Sequence, residues 1–123
     1  MPGQLKLSAI TLDCADPLAL AAFYQQATGL PLHEKSDAEF AGLLSGPGLL
    51  LGFQRVADYR RPQWPGQDQP QQFHLDFDVT DLAAATEELL ALGATRPADQ
   101  PGNGGWLVLL DPAGHPFCLI EKK

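Results

Sequence analysis

Thiols are scarce in this chain. Cys14 and Cys118 are the only cysteines among 123 residues, and they lie far apart with no paired spacing. That excludes a zinc ribbon or a disulfide scaffold and makes reduced thiols the expectation. Basic residues are also few: eight Lys and Arg stand against fifteen Asp and Glu, a net charge of −7. A surface this negative repels phosphate backbones and anionic membranes. The longest basic cluster, "YRRP" at 59–62, is too short to offset it. Neither a nucleic acid nor a membrane is expected as a partner. No apolar run approaches the roughly 20 residues that span a bilayer. The start, "MPGQLKLSAITLD", lacks the basic residues and long apolar stretch of a signal peptide, so a cytoplasmic location is the expectation.

What is present describes a globular domain. Hydrophobic residues make up 45% and charged residues 19%, ordinary values for a soluble fold. The length suits one compact domain with a core of its own, spanning 1–123.

The chain also repeats itself. "AITLDCADPLALAAFYQQATGLP" from Ala9 aligns with "HLDFDVTDLAAATEELLALGAT" from His74, each reading as strand, aspartate cap, helix and glycine. An offset of 65 sets Asp13 on Asp78, Asp16 on Asp81 and Ala9 on His74. Later, "LLSGPGLLLGFQ" from Leu43 matches "LLDPAGHPFCLI" from Leu109 at an offset of 66, which sets Gly52 on Cys118. Asp16 before Pro17 is an N-cap with proline in the first turn, and Asp81 is the second cap. Gly29 and Gly93 stand where left-handed stops belong. Leu82, Ala85, Leu89 and Leu92 recur at helical steps and form one buried stripe. "SGPG" at 45–48 and "DPAG" at 111–114 are turn chemistry between apolar runs. The order is strand, helix, strand, strand, strand, repeated once. Module one covers about 5–57, module two about 72–122, and a Gly/Pro-rich stretch over 57–71 joins them.

Alternation assigns the faces. In a strand over 72–79, Phe73, Leu75, Phe77 and Val79 point toward the following helix, and His74, Asp76 and Asp78 point away. In the first strand Ile10 and Leu12 face the helix, while Ala9, Thr11 and Asp13 face away. Cys14 falls on the helix side and Cys118 on the other, so the two thiols are not expected to meet.

With these motifs in place, the chain resembles the vicinal oxygen chelate superfamily of glyoxalases, ring-cleaving dioxygenases and antibiotic-resistance binding proteins. The strongest stretches are "HLDFDVTDLAAATEELLALGA" and "LVLLDPAGHPFCLIE", the second carrying the family's Asp-Pro-x-Gly ending. "FQRV" at 53–56 and the tryptophan-proline loop before "FHLDF" look like a glyoxalase-like subgroup. The resemblance implies an α+β fold: two βαβββ modules forming an open, cupped eight-stranded mixed sheet with helices outside. It implies no single reaction, because one fold hosts many chemistries. In metal-bearing members it implies a His or similar donor on each first strand and usually a Glu on each last strand. Those positions here are Ala9, Gly52, His74 and Cys118. Ala9 and Gly52 carry no donor, and substituting Gln54 for Gly52 by a register shift supplies only a neutral amide. One His and one thiol leave most of a divalent ion's shell unfilled, so no metal or other cofactor is expected.

His74 is open to three roles: a hydrogen-bonding wall of a pocket, a catalytic acid or base, or a metal ligand, with the wall preferred. An imidazole suits proton transfer at cellular pH. Asp76, on the same face, could share an ion or orient a water, or simply shape the cup. Asp13 and Asp78 are read as caps near the helix starts. No basic neighbour activates Cys118 as a nucleophile, so it reads as a small pocket wall. Tyr59 and Trp64, held among prolines and glycine, are read either as a lid over a flat ligand or as a plug or dimer contact. "GNGG" at 102–105 lacks the strand and helix context of a phosphate loop and reads as a rim. His33 and His115 are expected to be solvated. Trp106 is left to cup or core.

The leading expectation is therefore a small, partly apolar or aromatic molecule held in the cup by Ala9, Thr11, Gly52, Gln54, Tyr59, Trp64, His74, Asp76 and Cys118, with extra room over Ala9 and Gly52. The alternatives are a glyoxalase-like lyase or isomerase, or a dioxygenase-type enzyme, using His74 and Asp76 on a rearranged metal site, and a non-enzymatic protein-interaction domain. Exposed strand edges make a homodimer the expected assembly.

Overall fold

The computed structural model describes residues 7–70, 74–100 and 106–122. The chain divides into two compact units between Tyr59 and Arg60. Most of the stretch read as a joining segment over 57–71 thus belongs to the second unit.

The first unit contains β1 (Ala9–Cys14), α1 (Pro17–Thr28), β2 (Phe40–Leu44) and β3 (Leu50–Arg55). Its sheet runs β1-β3-β2, with β1 parallel and β2 antiparallel to β3. Asp16 caps α1 by accepting from the Ala19 N–H at 3.1 Å, and Pro17 occupies the first turn. Gly29, at φ 76°, ends the helix in the left-handed region. Leu20, Ala21, Phe23 and Tyr24 on the helix are buried, as are Leu12 and Cys14, Ala41 and Leu43, and Leu51 and Phe53 on the three strands. Each strand pair is two residues apart, which is the period that puts one sheet face against a helix.

The second unit repeats the plan with β4 (Leu75–Val79), α2 (Leu82–Leu92), β5 (Trp106–Leu110) and β6 (Pro116–Glu121), in sheet order β4-β6-β5. Asp81 caps α2 through the Ala84 N–H at 3.1 Å. The Glu121 carboxylate adds a second acceptor there, taking the Leu82 N–H at 3.0 Å. The expected stripe is present but centred on Thr86 and Leu89, and the Thr86 hydroxyl donates to the Leu82 carbonyl at 2.7 Å. Cys14 and Cys118 are both buried, and no disulfide joins them.

The architecture is α+β, two βαβββ modules, with one difference from the expected eight strands. Among the described residues, one strand of each module is reduced to a single bridge, Leu32 to Leu43 and Thr95 to Leu110. The reason is local. Beyond the bridges, side chains take over part of the edge bonding from a ladder. In the first unit Gly42 N–H donates to the Ser36 hydroxyl at 3.1 Å, and the Gly42 carbonyl accepts the His33 N–H at 2.8 Å. In the second, the Gln100 amide both donates to the Val108 carbonyl and accepts its N–H, each at 2.9 Å. Gly42 and Val108 are equivalent by the 66-residue offset, so the same edge position is closed in two ways. No helix among the described residues is long and apolar enough to cross a membrane.

Candidate functional site

Strand register settles which positions correspond. In the first unit Thr11 pairs with Gly52, and Gly52 with Gly42. In the second, Asp76 pairs with Cys118, and Cys118 with Val108. Directly paired residues share a sheet face. Thr11, Gly52 and Gly42 therefore lie on the face turned away from α1, and Asp76, Cys118 and Val108 on the face turned away from α2. The offsets read from the sequence agree with this pairing.

On that face of the second unit three donors converge. His74 immediately precedes β4, whose described pairing begins at Leu75; the start of the expected strand, at 72 and 73, lies outside the described residues. Its Nε2 lies 3.2 Å from Asp76 Oδ1. One donor atom each from His74, Asp76 and Cys118 lies within 4.8 Å of the others, with His74 and Asp76 exposed and Cys118 buried beneath them. Burial pushes the Cys118 thiol up to about 11, helped by its hydrogen bond to Asp76 and by that carboxylate's charge. The thiol is thus protonated at neutral pH and no nucleophile, in line with the sequence reading. The raised value has a sign that can be checked. The folded state keeps its proton where the unfolded chain, at an ordinary 9.0, loses it. Stability from this group is full below about pH 9 and falls away as the pH climbs toward about 11. Urea unfolding from about pH 8 to about pH 11 will show that decline in the wild type and a flatter profile in Cys118→Ser. Equal slopes would contradict the burial argument.

Neighbouring groups are accounted for. Glu121 shares the helix-side parity of Phe117 and Leu119 and is committed to the α2 start, so it is no substitute for the missing acidic donor. Trp106 pairs with Ile120 and falls on the Asp78 side of the sheet, away from α2. Asp78, read as a cap, instead faces Lys122 Nζ at 3.9 Å, and Asp81 carries the cap. The "GNGG" rim lies outside the described residues.

Among the described residues of the first unit, no comparable donors converge. A Cβ built on Gly52 would sit 2.6 Å from Phe40 Cζ and 3.0 Å from the Thr11 hydroxyl. The expected extra room over Gly52 is therefore taken by the ring of Phe40. A cavity of about 140 Å³ opens beside that ring, lined by His33, Lys35, Ser36, Phe40, Gly42 and Leu50. His33, expected to be solvated, is one of its walls. The loop is wired locally. His33 Nδ1 accepts the Lys35 N–H at 3.1 Å. Asp37 Oδ1 accepts from Phe40 N–H at 3.0 Å and Glu39 N–H at 2.9 Å. These two bonds, Phe40's first, hold the Asp37 carboxyl below its usual range and fix the entry of Phe40 into β2. Sequence parity had a signal for this wall: Gly42 and Gly52 are paired on one face, and Phe40 shares it. Without the β2–β3 register, that signal has no address.

The remaining sequence candidates divide between the two units. Ala9 pairs with Leu50 at the start of β1, and exposed Gln54 pairs with Asp13 and Phe40. Tyr59 ends the first unit, whereas Trp64 lies in the second, each half-buried. Arg61, in the same loop as Trp64, covers Gly114, where a Cβ would meet the Arg61 Cβ at 2.8 Å.

The four positions that metal-bearing relatives use do not fit their ion here. Ala9 and Gly52 have no donor, an aromatic ring stands over Gly52, and a thiol replaces the acidic ligand at Cys118.

Comparison with known proteins agrees with this geometry. A glyoxalase-like domain family matches residues 9–120. Proteins of Mycobacterium bovis and Mycobacterium tuberculosis, each named "Putative glyoxylase CFP32", are 33% identical over 122 residues. The match takes in 97% of this chain but only 44% of theirs, so the chain spans less than half of those relatives. Among solved structures, a glyoxalase-related enzyme from Fulvimarina pelagi is 26% identical with a TM-score of 0.68, covering 95% of this chain and 88% of that one. A glyoxalase/bleomycin resistance protein/dioxygenase family enzyme from Burkholderia phytofirmans shares the fold at a TM-score of 0.72 and 24% identity, over 95% of this chain and 98% of that one. So does the bleomycin-binding protein of Streptomyces verticillus, solved with copper(II)-bleomycin, at 0.58 and 21%, over 98% of each chain. The chain belongs to the glyoxalase-like domain family.

Proposed function

We propose that the protein binds a small, partly apolar organic molecule on the sheet face of its first unit, without the four-donor ion of metal-bearing relatives. The observation that carries this reading is the Phe40 ring over Gly52, with a cavity beside it where relatives would place a donor. Size narrows the ligand. An apolar cavity of about 150 Å³ holds one benzene, and this one measures about 140 Å³. A single aromatic ring or a branched aliphatic group of that size fits against Phe40 and Leu50. Ser36, Lys35 and His33 offer polar partners in its lining. The solved complex of a protein of this fold with copper(II)-bleomycin supports ligand binding as the use of such a surface.

The test is a panel of single-ring compounds (benzoate, benzamide, benzyl alcohol and phenylacetate) scored by melting temperature. A compound at tenfold over its Kd stabilises the fold by about 1.4 kcal/mol, a rise of roughly 3–8 °C for a unit of this size. Phe40→Ala should abolish the rise. A panel that moves neither protein would contradict the proposal.

A second reading is favoured by one contact. His74 and Asp76, 3.2 Å apart on an exposed face, have the arrangement of a base and its orienting carboxylate. A glyoxalase-like lyase or isomerase would use them so, and the two mycobacterial relatives carry the name "Putative glyoxylase CFP32". Chemical conversion of a small organic substrate by the wild type, but not by His74→Ala, would place this reading first.

A further inference from the structure

We propose that His74, Asp76 and Cys118 form a three-donor site for a thiolate-seeking divalent ion of the zinc type, contained within the second unit. This goes beyond the organic-ligand reading, which concerns residues of the first unit and needs no ion.

Geometry supports it. Zinc binds nitrogen and oxygen donors at about 2.0–2.2 Å and sulfur at about 2.3 Å, so tetrahedral neighbours stand about 3.3–3.8 Å apart. The three donor atoms lie within 4.8 Å of one another, and the His74–Asp76 pair is at 3.2 Å. Adjustments of about an ångström convert the cluster into three corners of a tetrahedron, with the fourth open to solvent. The backbone already holds two of the corners. Asp76 and Cys118 are direct partners on parallel strands, so their side chains leave the sheet side by side. His74 stands two residues before Asp76 on the same side.

Donor chemistry sets the selectivity. One thiolate, one imidazole and one carboxylate suit Zn²⁺, Cd²⁺ or Co²⁺, and a thiolate disfavours Mg²⁺, Ca²⁺ and Mn²⁺. Binding forms an S–metal bond at Cys118 and releases the thiol proton to solvent. The site also differs from the four-position pattern described above. Asp76 is outside that pattern, and all three donors come from β4, β6 and the residue before β4. The equivalent residues of the first unit are Ala9, Thr11 and Gly52, which have neither thiol nor imidazole, so the duplication does not repeat the site. The simpler alternative is a hydrogen-bonded trio that never meets an ion. The two readings part when metal is offered.

The experiment uses the full, untagged chain, stripped with chelator and titrated with Co²⁺ and Cd²⁺ while the ultraviolet thiolate-to-metal charge-transfer absorption is followed. The expected result is one band saturating at one ion per chain and displaced by Zn²⁺. It should vanish in Cys118→Ser, and ion affinity should fall at least tenfold in His74→Ala and Asp76→Ala. Cys14→Ser should keep the band, since Cys14 is buried and its thiol faces the Gln54 carbonyl at 3.6 Å. Because His74 and Asp76 are exposed, their variants fold even if Cys118→Ser does not. No band in the wild type, a band that follows Cys14, or unchanged affinity in both His74→Ala and Asp76→Ala would overturn the proposal. Loss of panel binding with this band intact would sink only the organic-ligand reading.

Discussion

Phe53→Ala lowers the unfolding free energy by about 3–5 kcal/mol, the range for truncating a large buried aromatic. Phe53 is wholly inaccessible and stacks on Tyr24 with ring centroids 5.5 Å apart and planes 10° from parallel. Tyr24 in turn meets Phe23 edge-on at 4.9 Å. The ring therefore ties the central strand of the first unit to α1, and alanine would leave a cavity lined by side chains that cannot collapse into it. Against a total of about 5–15 kcal/mol for a typical domain, that is a large share. Urea unfolding gives the value directly. Phe40→Ala is the matched control: its ring is 37% exposed, so the same truncation should cost much less. Comparable losses at the two positions would contradict the assignment of core and site faces.

Asp111→Ala is expected to cost about 3 kcal/mol, through two hydrogen bonds to a charged acceptor at about 1.5–3 kcal/mol each, partly regained by hydration of the freed N–H groups. The carboxylate is 1% exposed and accepts from Ala113 N–H at 2.8 Å and His115 N–H at 2.9 Å. Its own N–H and carbonyl bond His115 and Gly114, which closes the turn between β5 and β6. Gly114 completes the turn at φ 92°, where a side chain would be strained and would collide with Arg61. This turn sets the β5–β6 register and the start of β6, the strand that carries Cys118 to its partner Asp76 on β4. Asp111→Ala should therefore also weaken Co²⁺ binding if the three-donor site exists. A stability loss below about 1 kcal/mol would mean the turn does not depend on its carboxylate.

These two cases show why part of the molecule was legible in the sequence and part was not. Caps, helix stops and turns are encoded within a few residues, so Asp16, Asp81, Gly29, Gly93 and "DPAG" could be read directly. The internal repeat supplied longer-range information: offsets of 65 and 66 set Ala9 on His74 and Gly52 on Cys118, and the strand pairs Thr11–Gly52 and Asp76–Cys118 keep that correspondence. What escaped depends on which side chain fills a space between strands. Nothing near Gly52 in the chain announces that Phe40, twelve residues earlier, lies over it. His33 looked solvated because its burial comes from a loop folded back onto Gly42. The missing fourth strands escaped for a similar reason: Ser36 and Gln100 side chains replace ladder bonds, and alternation cannot see side-chain substitutes.

The central claim is that the first unit's sheet face has exchanged an ion donor for a ring-lined seat. Its most direct test is calorimetric titration of chelator-stripped protein with whichever single-ring compound gives the largest melting shift. Saturable binding at one molecule per chain, unchanged by added Zn²⁺, Ni²⁺ or Mn²⁺ and lost in Phe40→Ala, is the predicted result. Binding that requires a divalent ion, or that survives Phe40→Ala undiminished, would contradict it.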